Sequence, residues 1–220
     1  GETVGAQLTG DDRVRGVMFT GSTEVATLLQ RNIASRLDAQ GRPIPLIAET
    51  GGMNAMIVDS SALTEQVVVD VLASAFDSAG QRCSALRVLC LQDEIADHTL
   101  KMLRGAMAEC RMGNPGRLTT DIGPVIDSEA KANIERHIQT MRSKGRPVFQ
   151  AVRENNEDAR EWQSGTFVAP TLIELDDFAE LQKEVFGPVL HVVRYNRNQL
   201  PELIEQINAS GYGLTLGVHT

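Results

Sequence analysis

The sequence predicts an α/β fold in which a mostly parallel sheet is flanked by helices. Segments with strand-like and helix-like patterns alternate along the 220 residues. Hydrophobic residues make up 42% of the chain, which is ample for a buried core. The apolar runs are short and bounded by turn residues, as expected for buried strands between amphipathic helices. Such alternation is typical of a parallel sheet with helices on its faces.

The first elements are a strand, a helix and a second strand. VRGVMFT predicts a strand at 14–20, and IPLIAET predicts one at 44–50. Between them, residues 22–37 predict a helix with Ser22 as its N-cap and Glu24 in its first turn.

A second helix is predicted at 64–79, capped by Thr64, because apolar residues recur there at helical spacing. These residues are Val67, Val68, Val71, Leu72, Ala75 and Phe76. The later predictions are strands at 86–92, 147–152, 167–175 and 189–195, helices at 94–110, 128–145 and 199–210, and a strand beginning within 211–220. The polar stretch at 153–165 predicts a surface loop.

Charge and composition argue against several classes of partner. The chain carries 29 acidic and 21 basic residues, a net charge of −8, and has no basic run, which argues against a nucleic-acid surface. No apolar run approaches the roughly 20 residues that cross a bilayer. The three cysteines lack CxxC spacing and are odd in number, so we expect a reducing cytosol. The four histidines are scattered, and no zinc site is expected.

Cys83 occupies a turn in SAGQRCSALRVLCL, between the helix at 64–79 and the strand at 86–92. Three interpretations compete: a buried packing residue, half of a disulfide, or a nucleophile exposed on a turn. Cys90 lies inside an apolar strand and is predicted to be core, as is Cys110 at a helix end.

Two further segments combine an acid with glycine. In IAETGGMNAM, Glu49 precedes Gly51 and Gly52, and the acid is either solvated beside a tight turn or a base near a ligand. In LQKEVFGPVLHV, Glu184 precedes Phe186. Each segment alone indicates only a turn.

Taken together, four segments resemble the NAD(P)-dependent aldehyde dehydrogenase superfamily. They are, in chain order, FTGSTEVA, AETGGMNA, GQRCSALR and KEVFGPV. The resemblance spans nearly the whole chain and is closest to the branch that oxidises glutamate γ-semialdehyde (pyrroline-5-carboxylate). Thr50 and Met53 depart from the commoner Glu-Leu-Gly-Gly-Lys pattern.

The resemblance implies a covalent mechanism. Cys83 would add to the aldehyde and form a thiohemiacetal, and Glu49 would activate the water that hydrolyses the later thioester. The Cys83 backbone N–H, with an Asn from upstream, would meet the oxyanion. Ser84 would bind the substrate carboxylate, although it is also compatible with a simple turn residue.

The implied cofactor is NAD. The residues that would contact it are Gly21, Ser22, Thr50, Gly51, Glu184 and Phe186. Gly21 permits close approach, and the helix that Ser22 opens favours a diphosphate. Glu184 would accept hydrogen bonds from the nicotinamide ribose, with Phe186 beside the ring.

The resemblance also implies a domain organisation. Residues 1–50 would be the C-terminal part of a Rossmann-like NAD-binding domain, and 51–220 a catalytic domain truncated at its C-terminal end. We therefore expect a fragment that is inactive alone. Its parent would be a homo-oligomer, fused to a proline dehydrogenase domain, acting on a small aldehyde.

Three alternatives remain at this point. One is a dehydrogenase for another aldehyde, including CoA-acylating types, against which Glu49 argues. Another is a cysteine hydrolase without a redox cofactor, which would need a histidine base near Cys83. The last is a non-catalytic scaffold.

Overall fold

The computed structural model describes residues 2–151 and 165–220. The chain divides into two compact units, Gly1–Gly51 and Gly52–Thr220. Most of the loop predicted at 153–165 lies outside the described residues. None of the helices in the described part of the chain is both long and apolar enough to cross a bilayer.

The first unit contains two helices and a two-stranded parallel sheet. Its elements are helix α1 (Glu2–Gly10), strand β1 (Val17–Thr20), helix α2 (Thr23–Ile33) and strand β2 (Leu46–Glu49). The predicted N-cap of α2 is confirmed, because Ser22 Oγ accepts a hydrogen bond from the Val25 N–H at 3.2 Å. Helix α1 was not predicted, since its small and β-branched residues carry little amphipathic signal.

The second unit is built on a six-stranded sheet with the order β5-β6-β7-β4-β3-β8. Its strands are β3 (Ala55–Val58), β4 (Val88–Gln92), β5 (Val148–Gln150), β6 (Thr171–Leu175), β7 (Val189–Tyr195) and β8 (Leu216–His219). Every neighbouring pair is parallel except β5 with β6. The prediction of a mostly parallel sheet is therefore confirmed.

Four helices belong to this unit: α3 (Thr64–Phe76), α4 (Asp93–Glu109), α5 (Ser128–Ser143) and α6 (Leu200–Ala209). The predicted cap of α3 is wrong, since Leu63 is the N-cap and Thr64 is already helical and buried. Helix α3 also ends three residues earlier than predicted. The following residues Ser78 and Ala79 have φ values of 56° and 53°, which a right-handed helix cannot contain.

The core lies along the central strands. All residues of β3 and β4 are buried, as are six of the seven residues of β7. Strand β3 was not predicted, because four apolar residues form too short a run to indicate a strand from periodicity alone. The segments that precede β3, β4 and β7 position the residues of the second unit discussed next.

Candidate active site

Cys83 lies on an exposed turn, which we call the Cys83 turn and define as residues 78–85. The Cys83 thiol forms no disulfide with another described residue. Cys83 is exposed, so the disulfide and buried-packing interpretations are both wrong. An exposed thiol on a turn is accessible to an electrophile, which leaves the nucleophile interpretation standing.

Cys90 contrasts with Cys83. It is fully buried in β4, as predicted, and burial raises the pKa of its thiol to about 12. Cys110 is only half-buried, because it caps the C-terminus of α4, where its thiol points to the Ala106 carbonyl oxygen.

The Cys83 turn begins with three consecutive left-handed residues, Ser78, Ala79 and Gly80. Left-handed backbone costs a residue that carries a Cβ roughly 1–2 kcal/mol. Gly80 avoids that cost. It also allows the turn to approach Gly187 closely, because a Cβ at position 80 would collide with the Gly187 carbonyl oxygen. The turn therefore packs backbone to backbone against residues 184–188, which we call the Glu184 segment.

Arg87 joins these two segments from inside the molecule. Its side chain is only 1% exposed, and its Nε and Nη2 donate to Glu184 Oε1 at 3.0 and 2.8 Å. Burial lowers the pKa of the Arg87 guanidinium, while the Glu184 carboxylate opposes that effect. A buried ion pair of this kind holds geometry well, because removing either partner leaves an uncompensated charge.

Glu184 is thus engaged in the structure. Its other oxygen, Oε2, accepts a hydrogen bond from the Gly52 N–H at 3.2 Å, and the side chain is 11% exposed. Phe186 is 45% exposed, and the Arg87 guanidinium carbon lies 5.2 Å from its ring centroid, within cation–π range. A carboxylate oxygen has two lone pairs, so Oε2 can accept a second hydrogen bond.

Asn54 also holds the Cys83 turn. It is buried, and its Nδ2 donates to the carbonyl oxygens of Cys83 and Ala85 at 2.7 and 2.8 Å. Its Oδ1 accepts from the Thr215 N–H at 3.1 Å. A Cβ at Gly52 would lie 2.7 Å from Asn54 Oδ1 and 2.8 Å from the Cys83 oxygen, so this close approach requires glycine.

Sequence reasoning missed both Arg87 and Asn54. Asn54 lies in AETGGMNA and Arg87 lies in GQRCSALR, but neither residue was assigned a role. Each is a polar residue directly before an apolar strand. That position could have indicated a supporting role, because a buried polar group needs hydrogen-bond partners.

Ser84 is exposed beside Cys83, and the other predicted residues, Glu49 among them, lie in the first unit. The parallel register places Thr20 opposite Glu49, and Gly21 N–H donates to the Glu49 carbonyl oxygen at 3.1 Å. Gly21 and Ser22 therefore lie beside the exposed end of β2, which Thr50 and Gly51 follow. A Cβ at Gly21 would come within 2.5 Å of the Phe19 ring.

Two of the supposedly scattered histidines form a pair. His137 of α5 and His191 of β7 have their Nε2 atoms 2.8 Å apart. Sequence spacing could not reveal this contact, because α5 and β7 meet only through packing. Within residues 2–151 and 165–220, no group of three or more His, Cys, Asp and Glu side chains is placed to hold a metal ion.

Comparisons with known proteins identify the family of the chain. The model of the aldehyde dehydrogenase family matches residues 1–220. The chain is 93% identical to the bifunctional protein PutA of Salmonella typhimurium over 220 residues, all of this chain and 17% of that protein. It is 31% identical to 1-pyrroline-5-carboxylate dehydrogenase of Geobacillus kaustophilus over 98% of this chain and 40% of that protein.

Solved structures give the same result. A crystal structure of bifunctional proline utilization A superposes with a TM-score of 0.90 at 47% identity, covering 100% of this chain and 21% of that one. Betaine aldehyde dehydrogenase from Staphylococcus aureus, solved with NAD+, superposes with a TM-score of 0.88 at 30% identity, covering 100% and 42%. The chain belongs to the aldehyde dehydrogenase family.

Proposed function

We propose that the protein containing this chain oxidises L-glutamate γ-semialdehyde to L-glutamate, with NAD as the oxidant and Cys83 as the nucleophile. The observation that carries the proposal is the exposed Cys83 thiol on a turn whose carbonyl groups are held from inside by Arg87 and Asn54. Such a turn presents a reactive group on a rigid support. The names of two relatives, PutA and 1-pyrroline-5-carboxylate dehydrogenase, support this substrate.

In the proposed reaction, the Cys83 thiol gives its proton to solvent water and its sulfur attacks the aldehyde carbon. The carbonyl becomes an oxyanion, which the Cys83 backbone N–H stabilises. As the carbon–oxygen double bond re-forms, a hydride leaves that carbon, which bound NAD would accept, and a thioester remains on Cys83. Glu49 then takes a proton from water, and the water oxygen attacks the thioester carbon. The carbon–sulfur bond breaks, the leaving sulfur takes the proton from Glu49, and glutamate is released.

The residues present fit a dinucleotide. Helix α2 points its positive dipole end at Ser22, and Gly21 has no side chain to block a diphosphate. In the second unit, Glu184 Oε2 has acceptor capacity for a ribose hydroxyl, and the exposed face of Phe186 suits a flat ring. When bound, NAD supplies the hydride acceptor. The family resemblance implies that Thr50 and Gly51 also contact NAD.

The domain assignment follows from these roles. Residues 1–50 would complete the NAD-binding domain, and 51–220 would form most of the catalytic domain. The chain spans 17% of the length of the Salmonella relative. We propose that the intact protein is a cytosolic homo-oligomer that carries a proline dehydrogenase domain as well.

Pre-steady-state kinetics of the full-length protein test the assignment. Cys83→Ala should abolish NADH formation, whereas Glu49→Gln should give a rapid burst of NADH followed by a stall, because only thioester hydrolysis is slowed. Glu184→Gln should remove the burst, because it slows the hydride step. Cys83→Ala activity within tenfold of wild type would refute the nucleophile, and identical traces for the two acid variants would refute the division of their roles.

A further inference from the structure

The carbonyl groups of the Cys83 turn have buried partners. Arg87 Nη1 donates to the Gly80 oxygen at 2.7 Å, and Nη2 donates to the Arg82 oxygen at 3.0 Å. Asn54 Nδ2 binds the oxygens of Cys83 and Ala85. Four carbonyls between residues 80 and 85 are therefore held by two side chains that reach them from inside the molecule.

The N–H groups of the same turn have the opposite arrangement. Those of Gln81 and Ala85 donate to Ser78 and Arg82 within the turn. The N–H groups of the three residues between them, 82–84, meet no hydrogen-bond acceptor within residues 2–151 and 165–220. Because the carbonyl groups bind partners inside the molecule, three consecutive N–H groups remain available around the exposed Cys83 thiol. An oxyanion formed at that thiol would need such donors.

Arg87 also binds the Glu184 segment, which Asn54 does not. The guanidinium that holds Gly80 and Arg82 also binds Glu184, and its Nη1 reaches the Gly187 oxygen at 3.3 Å. The Gly80 backbone packs directly on Gly187. One planar cation therefore sets the position of the Cys83 turn relative to the Glu184 segment.

We propose that Arg87 and Asn54 are positioning residues for the reaction and that they position different parts of the site. Of the two segments, Asn54 binds only the Cys83 turn, whereas Arg87 binds that turn and the Glu184 carboxylate together. The inference rests on the proposed roles of Cys83 and Glu184. A planar fork with five donors suits this task, and lysine, which lacks the fork, cannot hold all these partners in the same geometry.

The two residues should therefore be distinguished by how kcat and cofactor affinity change in the full-length protein. Asn54→Ala should lower kcat about tenfold or more, because misplaced reacting groups are costly, while leaving the Kd for NAD within about twofold of wild type. Arg87→Lys should lower kcat at least as much and also raise the Kd for NAD about fivefold or more. Steady-state kinetics give kcat, and calorimetric titration with NAD gives Kd.

Matched controls separate positioning from general loosening of the fold. Arg194→Lys changes an exposed arginine paired with Asp97 and Glu174, and Asn208→Ala changes an exposed asparagine of α6; both should behave as wild type. The thermal midpoint of each variant is measured alongside. Should Asn54→Ala fail to fold, Asn54→Ser retains one donor for the two carbonyls and should show the same pattern with a smaller loss.

The difference between the Asn54 and Arg87 variants in their Kd for NAD tests the positioning roles. Equal effects of the Asn54 and Arg87 variants on Kd, or kcat within twofold of wild type for folded Arg87→Lys, would overturn the proposal. The Cys83→Ala measurement keeps this outcome separate from failure of the proposed function. If Cys83→Ala is inactive while both positioning variants match wild type, only the positioning inference fails.

Discussion

The Nε2 atoms of His137 and His191 lie 2.8 Å apart, and His191 Nδ1 lies 3.2 Å from the carbonyl oxygen of Arg87. A carbonyl oxygen only accepts hydrogen bonds, so His191 Nδ1 carries the hydrogen. The Nε2 of neutral His191 is then the acceptor, and His137 donates from its own Nε2. A proton added to His191 would place two N–H groups against each other.

This arrangement predicts that stability falls as the pH falls. Burial, followed by the charges of His137 and Arg87, lowers the pKa of His191 to about 3 from 6.5, and burial with Lys144 and Lys183 lowers that of His137. Below about pH 6.5 the unfolded chain therefore binds a proton that folded His191 rejects. The free energy of unfolding should fall by up to about 1.4 kcal/mol per pH unit per group as the pH is lowered from 6.5 toward the folded pKa.

Urea unfolding at pH 7.5, 6.0 and 5.0 measures this dependence. His191→Gln should reduce the slope of unfolding free energy against pH, and His98→Gln, at an exposed position, should not. A His191 variant that keeps the full wild-type slope would contradict the assignment.

The second prediction concerns the cysteines. Iodoacetamide should modify Cys83 in the native protein well before Cys110, and Cys90 last, because exposure and thiolate character govern the rate. Cys90 combines complete burial with a raised pKa. Mass spectrometry of tryptic peptides gives the order, with urea-unfolded protein as the control in which the differences should largely disappear. Native Cys90 reacting as fast as Cys83 would be incompatible with the structure.

The third prediction concerns strain in the Cys83 turn. Ser78 is exposed at φ 56°, so Ser78→Gly should raise the free energy of unfolding by about 1 kcal/mol. Ser78→Ala keeps the Cβ and should change stability little, which separates backbone strain from loss of the hydroxyl. Gly80→Ala should destabilise by about 2–3 kcal/mol, because its Cβ would overlap the Gly187 backbone. Thermal and urea unfolding measure all three, and a destabilising Ser78→Gly would refute the strain argument.

The fourth prediction concerns substrate selection by Ser84. This residue is exposed next to Cys83. If its hydroxyl binds the substrate carboxylate, Ser84→Ala should raise the KM for glutamate γ-semialdehyde about tenfold, the value of one hydrogen bond to a charged group. An uncharged aldehyde of the same length should be affected less than twofold. Equal losses on both substrates would make Ser84 a turn residue only.

Local signals in the sequence predicted much of this structure. The alternation of strands and helices predicted the parallel sheet, and Ser22 predicted the start of α2, because capping and periodicity depend on residues close in the chain. The turn that carries Cys83 was predicted from its neighbours alone. Local signals failed at β3, whose four apolar residues form too short a run, and at the end of α3, where left-handed residues stop the helix.

The sequence by itself therefore determined the class of fold, the turn that carries Cys83 and the family. Only the tertiary structure decided which polar residues support that position. Arg87 and Glu184 are 97 residues apart, Asn54 and Cys83 are 29 apart, and His137 and His191 are 54 apart. These contacts depend on how β3, β4 and β7 align side by side and on how α5 packs against them. That alignment follows from burial of the whole core and leaves no pattern in any single stretch of the chain.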